Sequence, residues 1–212
     1  FKNGIQRYKC KTCGCNYTKS TPHGYPIEVK REALRYYLEG IAFRRIERLL
    51  GVSHTAVIYW VKKAGEKIKD IAFEGRKPEK VDVMELDEMC VNLKKSNKKW
   101  IWLAVERASQ KIRGFYVGSR ETSSFEKLSQ NLQRLNVKKY ATDAWEAYNL
   151  IDPKKHIVGK AHTYTVERTN RLLRHYLARF ARKTYSISKS LDMIFYSLYL
   201  FSFRHLLPSI SF

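Results

Sequence analysis

Three groups of side chains in this sequence have types and spacings that can do chemistry: a cysteine cluster, a set of acidic residues and a basic helical face. Cys10, Cys13 and Cys15 stand in RYKCKTCGCNYT, where Cys10-x-x-Cys13 has the knuckle spacing by which two thiolates grip one zinc ion. A tetrahedral site needs two further ligands. Cys15 and His23 are one source. The other is a second Cys-x-x-Cys pair; none follows at ribbon spacing, and the chain opens on Phe1 rather than methionine. The expectation is therefore a partial zinc ribbon over residues 1–24 whose missing pair preceded Phe1. Plain reduced cysteines are the remaining alternative, and Cys90, in an apolar strand, reads as core.

The acids offer a different chemistry. Asp87 falls late in the strand VDVMELDEMCVNL, Asp143 ends a strand in ATDAW, and Glu167 opens the helix VERTNRLLRHYLARF. Carboxylates gathered in a dry cleft repel one another, and divalent cations between them relieve that repulsion. Two such ions about 3.5–4 Å apart can activate an attacking oxygen and stabilise a leaving one in phosphoryl transfer. Oxygen ligands of this kind select magnesium or manganese over zinc. Three acids among 20 are a weak signal alone, and Asp82, Glu85, Glu88 and Glu146 are rivals. Along the last helix, steps of 100° put Arg174 within about 20° of Glu167 and turn Leu172, Tyr176 and Phe180 the other way. That makes one chemical face and one core face, with the Arg174 fork suited to a scissile or flanking phosphate. An ordinary amphipathic helix with a solvated arginine face reads equally well. His162, His175 and Asn170 lie near the same end as weaker candidates.

Elements that would position these groups follow from periodicity. Residues 25–66 carry a three-part helical pattern with Pro26 and Glu28 in the first turn and a break near Gly40. Phe43, Ile46, Leu49 and Leu50 share one side of a second helix; Gly51-Val52-Ser53 then makes a tight turn, with Ser53 placed to cap a third. This is helix-turn-helix spacing. The third helix buries Val57, Trp60 and Val61 and leaves His54, Thr55, Tyr59, Lys62 and Lys63 for solvent or a major groove. Residues 67–80 are charged, contain Gly75 and Pro78, and read as a linker. Beyond them, 81–93, 100–106 and 111–117 read as an antiparallel meander. Ser123 and Glu126 have capping-box spacing ahead of Phe125, Leu128, Leu132 and Leu135, and a short strand resumes over 137–142. Residues 81–212 thus describe a mixed α/β domain, a mixed sheet flanked by helices.

Charge points to the partner. The chain has 41 lysines and arginines against 20 acids, a net charge of +21, which self-repulsion would make costly without a polyanion. With 44% hydrophobic and 13% aromatic residues it has material for a core and is not a disordered basic tail. The most apolar run, 193–203, is about half a membrane span and reads as a buried helix. No secretory signal heads the sequence, so the expected compartment is cytoplasmic.

In order, the half ribbon RYKCKTCGCNYT, the helix-turn-helix, LDEM, ATDAWEAY and VERTNRLLRHYLARFARKTYSISKS resemble a transposase of the bacterial and archaeal insertion-sequence-one family along nearly the whole chain. The last motif is the most specific. The resemblance implies a ribonuclease H-like core and an Asp-Asp-Glu triad falling on Asp87, Asp143 and Glu167, with 23 residues between the second and third. It also implies a basic residue two turns after the glutamate, matched by Arg174. The first Cys-x-x-Cys of the family is absent, which leaves zinc binding by Cys10 and Cys13 open.

On this reading the helix-turn-helix binds terminal inverted repeats of double-stranded DNA, and magnesium or manganese on the triad supports cleavage and strand transfer into target DNA. Arg179, Arg182, Lys183 and Lys189 would hold phosphates. The handling of two ends predicts a homodimer or higher assembly in a prokaryotic, nucleoid-associated setting. Two rivals are a catalytically inactive DNA-binding regulator derived from a transposase and a ribonuclease H-like nuclease that cuts without joining.

Overall fold

A computed structural model describes residues 6–18, 24–73, 79–94 and 97–210. Its first element is a small antiparallel hairpin of β1 (Arg7–Lys9) and β2 (Asn16–Thr18). Three helices follow: α1 (Ile27–Leu38), α2 (Phe43–Leu50) and α3 (His54–Phe73). Gly51 closes α2 at φ 65° and donates its N–H to the Glu47 carbonyl, a left-handed cap that costs least without a Cβ. Ser53 Oγ then accepts the Thr55 N–H at 3.3 Å, which is the cap the sequence places there. Val57, Trp60 and Val61 are buried, as their spacing requires.

α3 does not stop near residue 66. It runs to Phe73, through the first half of the stretch expected as a linker. Ala64, Ile68 and Ala72 recur every four residues and are all buried, so an apolar stripe continues beneath a charged face and masks the helix in composition. Gly75 and Pro78 lie outside the described residues.

Five strands form the main sheet in the order β5-β4-β3-β6-β7. β3 (Lys80–Leu93), β4 (Asn97–Glu106) and β5 (Ile112–Gly118) make the antiparallel meander. α4 (Thr122–Leu132) crosses to β6 (Asn136–Thr142), which lies parallel to β3, and β7 (His156–Val158) lies parallel to β6. Two details differ from expectation. α4 begins at Thr122 with Glu121 at its N-cap and no side-chain cap, so Ser123 lies within the first turn and the capping box of Ser123 and Glu126 does not form. β7, at three residues, is too short for alternation to reveal.

Alternation along β3 and β4 divides the interior into two layers. Met89, Val91, Ile101, Leu103 and Val105 face one side, with α5 (Tyr164–Tyr176) and α6 (Leu191–Ser202); Met84, Leu86, Trp102 and Ala104 face the other, with α4 and Tyr148. This is the mixed sheet flanked by helices. The first layer is continuous with the interior of α1–α3. There α3 crosses α6 so closely that a Cβ at Gly65 would lie 2.5 Å from the Tyr196 Cβ, and the Tyr37 and Ser197 hydroxyls hydrogen-bond. No helix among the described residues is long and apolar enough to cross a membrane.

Candidate active site

The parallel register of β3 and β6 sets Glu85 level with Ala141. Two residues further along each chain stand Asp87 and Asp143. β6 ends at Thr142, so Asp143 sits just past the strand end, half-buried, its Oδ1 accepting the Trp145 N–H at 3.0 Å. Asp87 Oδ1 accepts the Glu88 N–H at 2.8 Å and its Oδ2 accepts Asn170 Nδ2 at 2.7 Å. Burial, and then the charges of Glu88 and Asp143, push the Asp87 carboxyl up to about 7 against the pull of those hydrogen bonds. A buried aspartate that resists ionising beside other carboxylates is what a divalent cation would relieve.

α5 is tied to the same strand. Glu85 is fully buried, and its Oε2 accepts the N–H groups of Thr165 and Val166 at 2.7 and 3.0 Å. Its Oε1 accepts Arg107 Nε at 2.7 Å, and Arg107 Nη2 reaches the His162 carbonyl at 2.7 Å. A carboxylate in that place satisfies otherwise unpaired N–H groups and meets the positive end of the helix. Glu167 lies between this clamp and the one made by Asn170. It is exposed, and its Oε1 accepts the Thr163 hydroxyl at 3.2 Å. Among the described residues, no three His, Cys, Asp or Glu side chains converge to hold one ion. The fold thus brings Asp87 and Asp143 together and sets Glu167 on the adjoining helix, bonded to Thr163. In donor type the residues fit a hard cation, since all offer oxygen and one aspartate is held near neutrality. Glu167 would have to leave Thr163 to join them.

The rival acids are otherwise engaged. Asp82 is exposed and pairs with Lys138 at 2.6 Å. Glu85 caps α5. Glu88 is buried on the opposite face of β3, where its Oε1 accepts Arg120 Nε and Nη2 at 2.9 and 2.8 Å and its Oε2 accepts the Tyr148 hydroxyl at 2.9 Å. Glu146 is exposed. Arg120 itself lies 4.5 Å from the Trp100 ring centre and 4.0 Å from that of Trp145. Nothing local in the sequence marks that stack or the capping role of Glu85.

Arg174 is half-buried with its Nε unpartnered. Burial and the Arg182 charge lower its pKa while Asp87 raises it; the guanidinium stays charged. The core face of α5 differs from expectation. Val166, Thr169, Asn170 and Leu173 are buried, Leu172 and Tyr176 are half-buried, and Phe180 belongs to a separate turn, Ala178–Phe180, because the helix ends at Tyr176. His162 and His175 are exposed.

Of the DNA-facing candidates, Thr55, Tyr59, Lys62 and Lys63 are exposed on α3, although Lys63 pairs with Glu66 at 3.1 Å. His54 is half-buried against Glu47 at 3.1 Å and acts first as a brace between α2 and α3. Arg182, Lys183 and Lys189 are exposed. Arg179 is not: it is 8% exposed, lies 5.3 Å from the Tyr37 ring and 5.0 Å from that of Phe43, and Nη1 donates to Ser188 Oγ at 3.2 Å. It pins α1 and α2 to the sheet domain and cannot hold a phosphate as expected.

In the hairpin, Gly14 N–H donates to the Cys10 carbonyl at 3.0 Å and Cys10 N–H to the Cys15 carbonyl at 2.8 Å. Hydrogen bonds from the Cys13 and Thr12 backbone lower the Cys10 thiol to about 7. His23 lies outside the described residues.

A three-helix unit packed on a mixed α/β domain, with two aspartates level at the end of its central parallel pair, defines the class: a helical unit joined to an acidic centre. The sequence model described as IS1 transposase matches residues 81–198, and the chain belongs to that family. The InsB protein of insertion element IS1 from Shigella flexneri is 33% identical over 100 residues, 47% of this chain and 76% of that protein. The InsB protein of IS1 4 from Escherichia coli (strain K12) is 32% identical over 100 residues, and the match spans 60% of its length. Of solved structures, a pre-cleavage Mos1 transpososome aligns over 91% of this chain and 80% of that chain, at 12% identity and a TM-score of 0.28, too loosely for residues to correspond. The fold itself is a mixed sheet with helices on both faces, in the strand order β5-β4-β3-β6-β7.

Proposed function

We propose that the chain is a metal-dependent DNA transposase that binds terminal inverted repeats and cuts and joins DNA at Asp87, Asp143 and Glu167. The observation that carries this is the levelling of Asp87 with Asp143 across β3 and β6, with burial and then neighbouring carboxylates raising the Asp87 pKa, inside the stretch matched by the transposase family. Thr55, Tyr59, Lys62 and Lys63 face a major groove, and Arg182, Lys183 and Lys189 contact phosphates. Asp87 and Asp143, with Glu167 turned in from Thr163, would hold magnesium or manganese. Such ions, when bound, activate the attacking oxygen and stabilise the leaving one. Asp87 gives up its proton on loading, Arg174 offers its unpaired Nε to a phosphate oxygen beside the centre, and the packing of α5 on β3 keeps these groups in register. Water attacks phosphorus first and releases a 3′-hydroxyl; that hydroxyl then attacks a target phosphodiester and displaces the target's own 3′ oxygen. Two ends handled together call for at least a dimer on DNA, and zinc on Cys10 and Cys13 would stiffen the hairpin once two more ligands are supplied.

The test incubates the chain with duplex carrying the repeats that flank its gene, with magnesium or manganese, and compares Asp143→Asn. Metal-dependent cut and joined products from the wild type, with a variant that binds but makes neither, support the proposal. Cutting without joining makes the chain a nuclease. Binding without cutting by both makes it a regulator.

A further inference from the structure

Sheet pairing stops short of both aspartates. The parallel ladder of β3 and β6 ends at Glu85 and Ala141, and β6 itself ends at Thr142, so Asp87 and Asp143 lie beyond its last rung. Side chains bridge them instead. Glu88 follows Asp87 and donates its N–H to Asp87 Oδ1 at 2.8 Å, while its own side chain, 2% exposed, is buried on the other face of the strand. There Oε1 accepts Arg120 Nε and Nη2 at 2.9 and 2.8 Å, and Oε2 accepts the Tyr148 hydroxyl at 2.9 Å. Both partners reach the segment that follows Asp143. Tyr148 belongs to the turn Glu146–Leu150 and is wholly buried, its ring centre 5.8 Å from that of Trp102 and 5.2 Å from that of Phe125. The Arg120 guanidinium lies 4.0 Å from the Trp145 ring centre and 4.5 Å from that of Trp100 on β4, and the Trp145 N–H donates to Asp143 Oδ1 at 3.0 Å. One residue thus meets the first aspartate through its backbone and the second through an arginine and a tryptophan.

We propose that Glu88 and Arg120 are positioning residues of the cation site: their ion pair, set between Trp100 and Trp145, holds the segment that bears Asp143 at a fixed distance from Asp87. The inference rests on reading Asp87 and Asp143 as cation ligands. A buried ion pair is weak evidence for stability, because apolar residues of like volume often do as well or better in its place. What the pair supplies is geometry. A planar guanidinium donates along its edge and stacks on aromatic faces at once, which a lysine ammonium cannot do. Carboxylates held in place before the ion arrives spare binding the cost of ordering them.

The test measures manganese binding to the full chain without DNA, by loss of the free-ion electron paramagnetic resonance signal, beside melting without metal. Glu88→Gln combined with Arg120→Met removes both charges together, so neither is left buried alone, and keeps similar volumes. This double variant is expected to bind manganese roughly 10- to 100-fold more weakly than wild type, as lost outer-shell partners do, with little change in melting. Arg120→Lys keeps Glu88 paired without the stack and should lose less; it carries the expectation alone if the double variant does not fold. Gly65→Ala, which disturbs α3 against α6, should melt lower yet bind manganese as wild type does. Binding equal to wild type by the double variant, or by Arg120→Lys in its place, overturns the inference and leaves the carboxylate reading standing. An equal loss of binding in Gly65→Ala also overturns it, because affinity would then follow stability alone. If wild type binds no more manganese than Asp87→Asn, the carboxylate reading falls and this inference with it.

Discussion

Glu85 Oε2 accepts the backbone N–H of Thr165 at 2.7 Å, so a fully buried carboxylate of the central strand holds the first turn of the helix that carries Glu167. Glu85 and Asp87 are two residues apart and share a face of β3, which makes one strand both the support of α5 and the bearer of the first aspartate. Removing the carboxylate strands the Thr165 and Val166 N–H groups and leaves Arg107 without its partner. Glu85→Ala should destabilise the chain by about 3 kcal/mol, less than for a wholly buried pair because Arg107 is partly exposed. Glu85→Gln should lose less. Urea unfolding measures both, and an unchanged midpoint for Glu85→Ala would remove the clamp from the account.

Asp87 makes stability depend on pH in an unusual direction. Its folded pKa, raised to about 7, lies above the unfolded value near 4, so the folded state holds the proton more tightly. Stability from this group is full below about pH 4 and is lost as pH rises towards 7; allowing for partial exposure, the loss is roughly 2–4 kcal/mol. Without divalent metal, wild type should fall relative to Asp87→Asn between pH 5 and pH 8 in paired melting curves. Parallel curves would refute the raised pKa.

Arg179 and its exposed neighbours should separate cleanly. Arg179→Ala removes a buried cation from the rings of Tyr37 and Phe43 and should cost about 2 kcal/mol of stability. It should leave the salt dependence of DNA binding nearly unchanged. Arg182→Ala and Lys183→Ala should each reduce the slope of log binding constant against log salt by roughly one while leaving stability alone. Fluorescence anisotropy across a salt series reads the slopes, and a reduced slope for Arg179→Ala would restore it to the DNA surface.

At Gly65 α3 comes so near α6 that a Cβ there would lie 2.5 Å from the Tyr196 Cβ. Elsewhere in a helix, glycine to alanine stabilises by up to about 1 kcal/mol. Here Gly65→Ala should destabilise by roughly 1–3 kcal/mol, because the new methyl group meets Tyr196 at its Cβ, which cannot swing away. Thermal unfolding decides the sign.

Much of this architecture is local and could be read from residue order. Gly51 and Ser53 end one helix and begin the next by turn and cap chemistry alone, the meander follows from alternation and polar turns, and α6 from one unbroken apolar run. The acids at 87, 143 and 167 were a weak signal by spacing and stood out only through the family resemblance. Their arrangement was not legible, because it depends on a parallel register between strands 56 residues apart at Glu85 and Ala141. Local charge hid the extension of α3, and the end of α5 at Tyr176 moved Phe180 off the face where helical periodicity had set it.

By itself the sequence determined most of the longer helices and strands, the large positive charge and the supply of carboxylates, since these depend on near neighbours and composition. Only the tertiary structure decided the use of each charged group. Glu85 caps a helix, Glu88 holds Arg120, Arg179 pins two units together, and Asp87 faces Asp143 with Asn170 at its side. The same carboxylate or guanidinium is solvated, paired or strained according to what distant segments bring against it, and burial rather than residue type sets that energy.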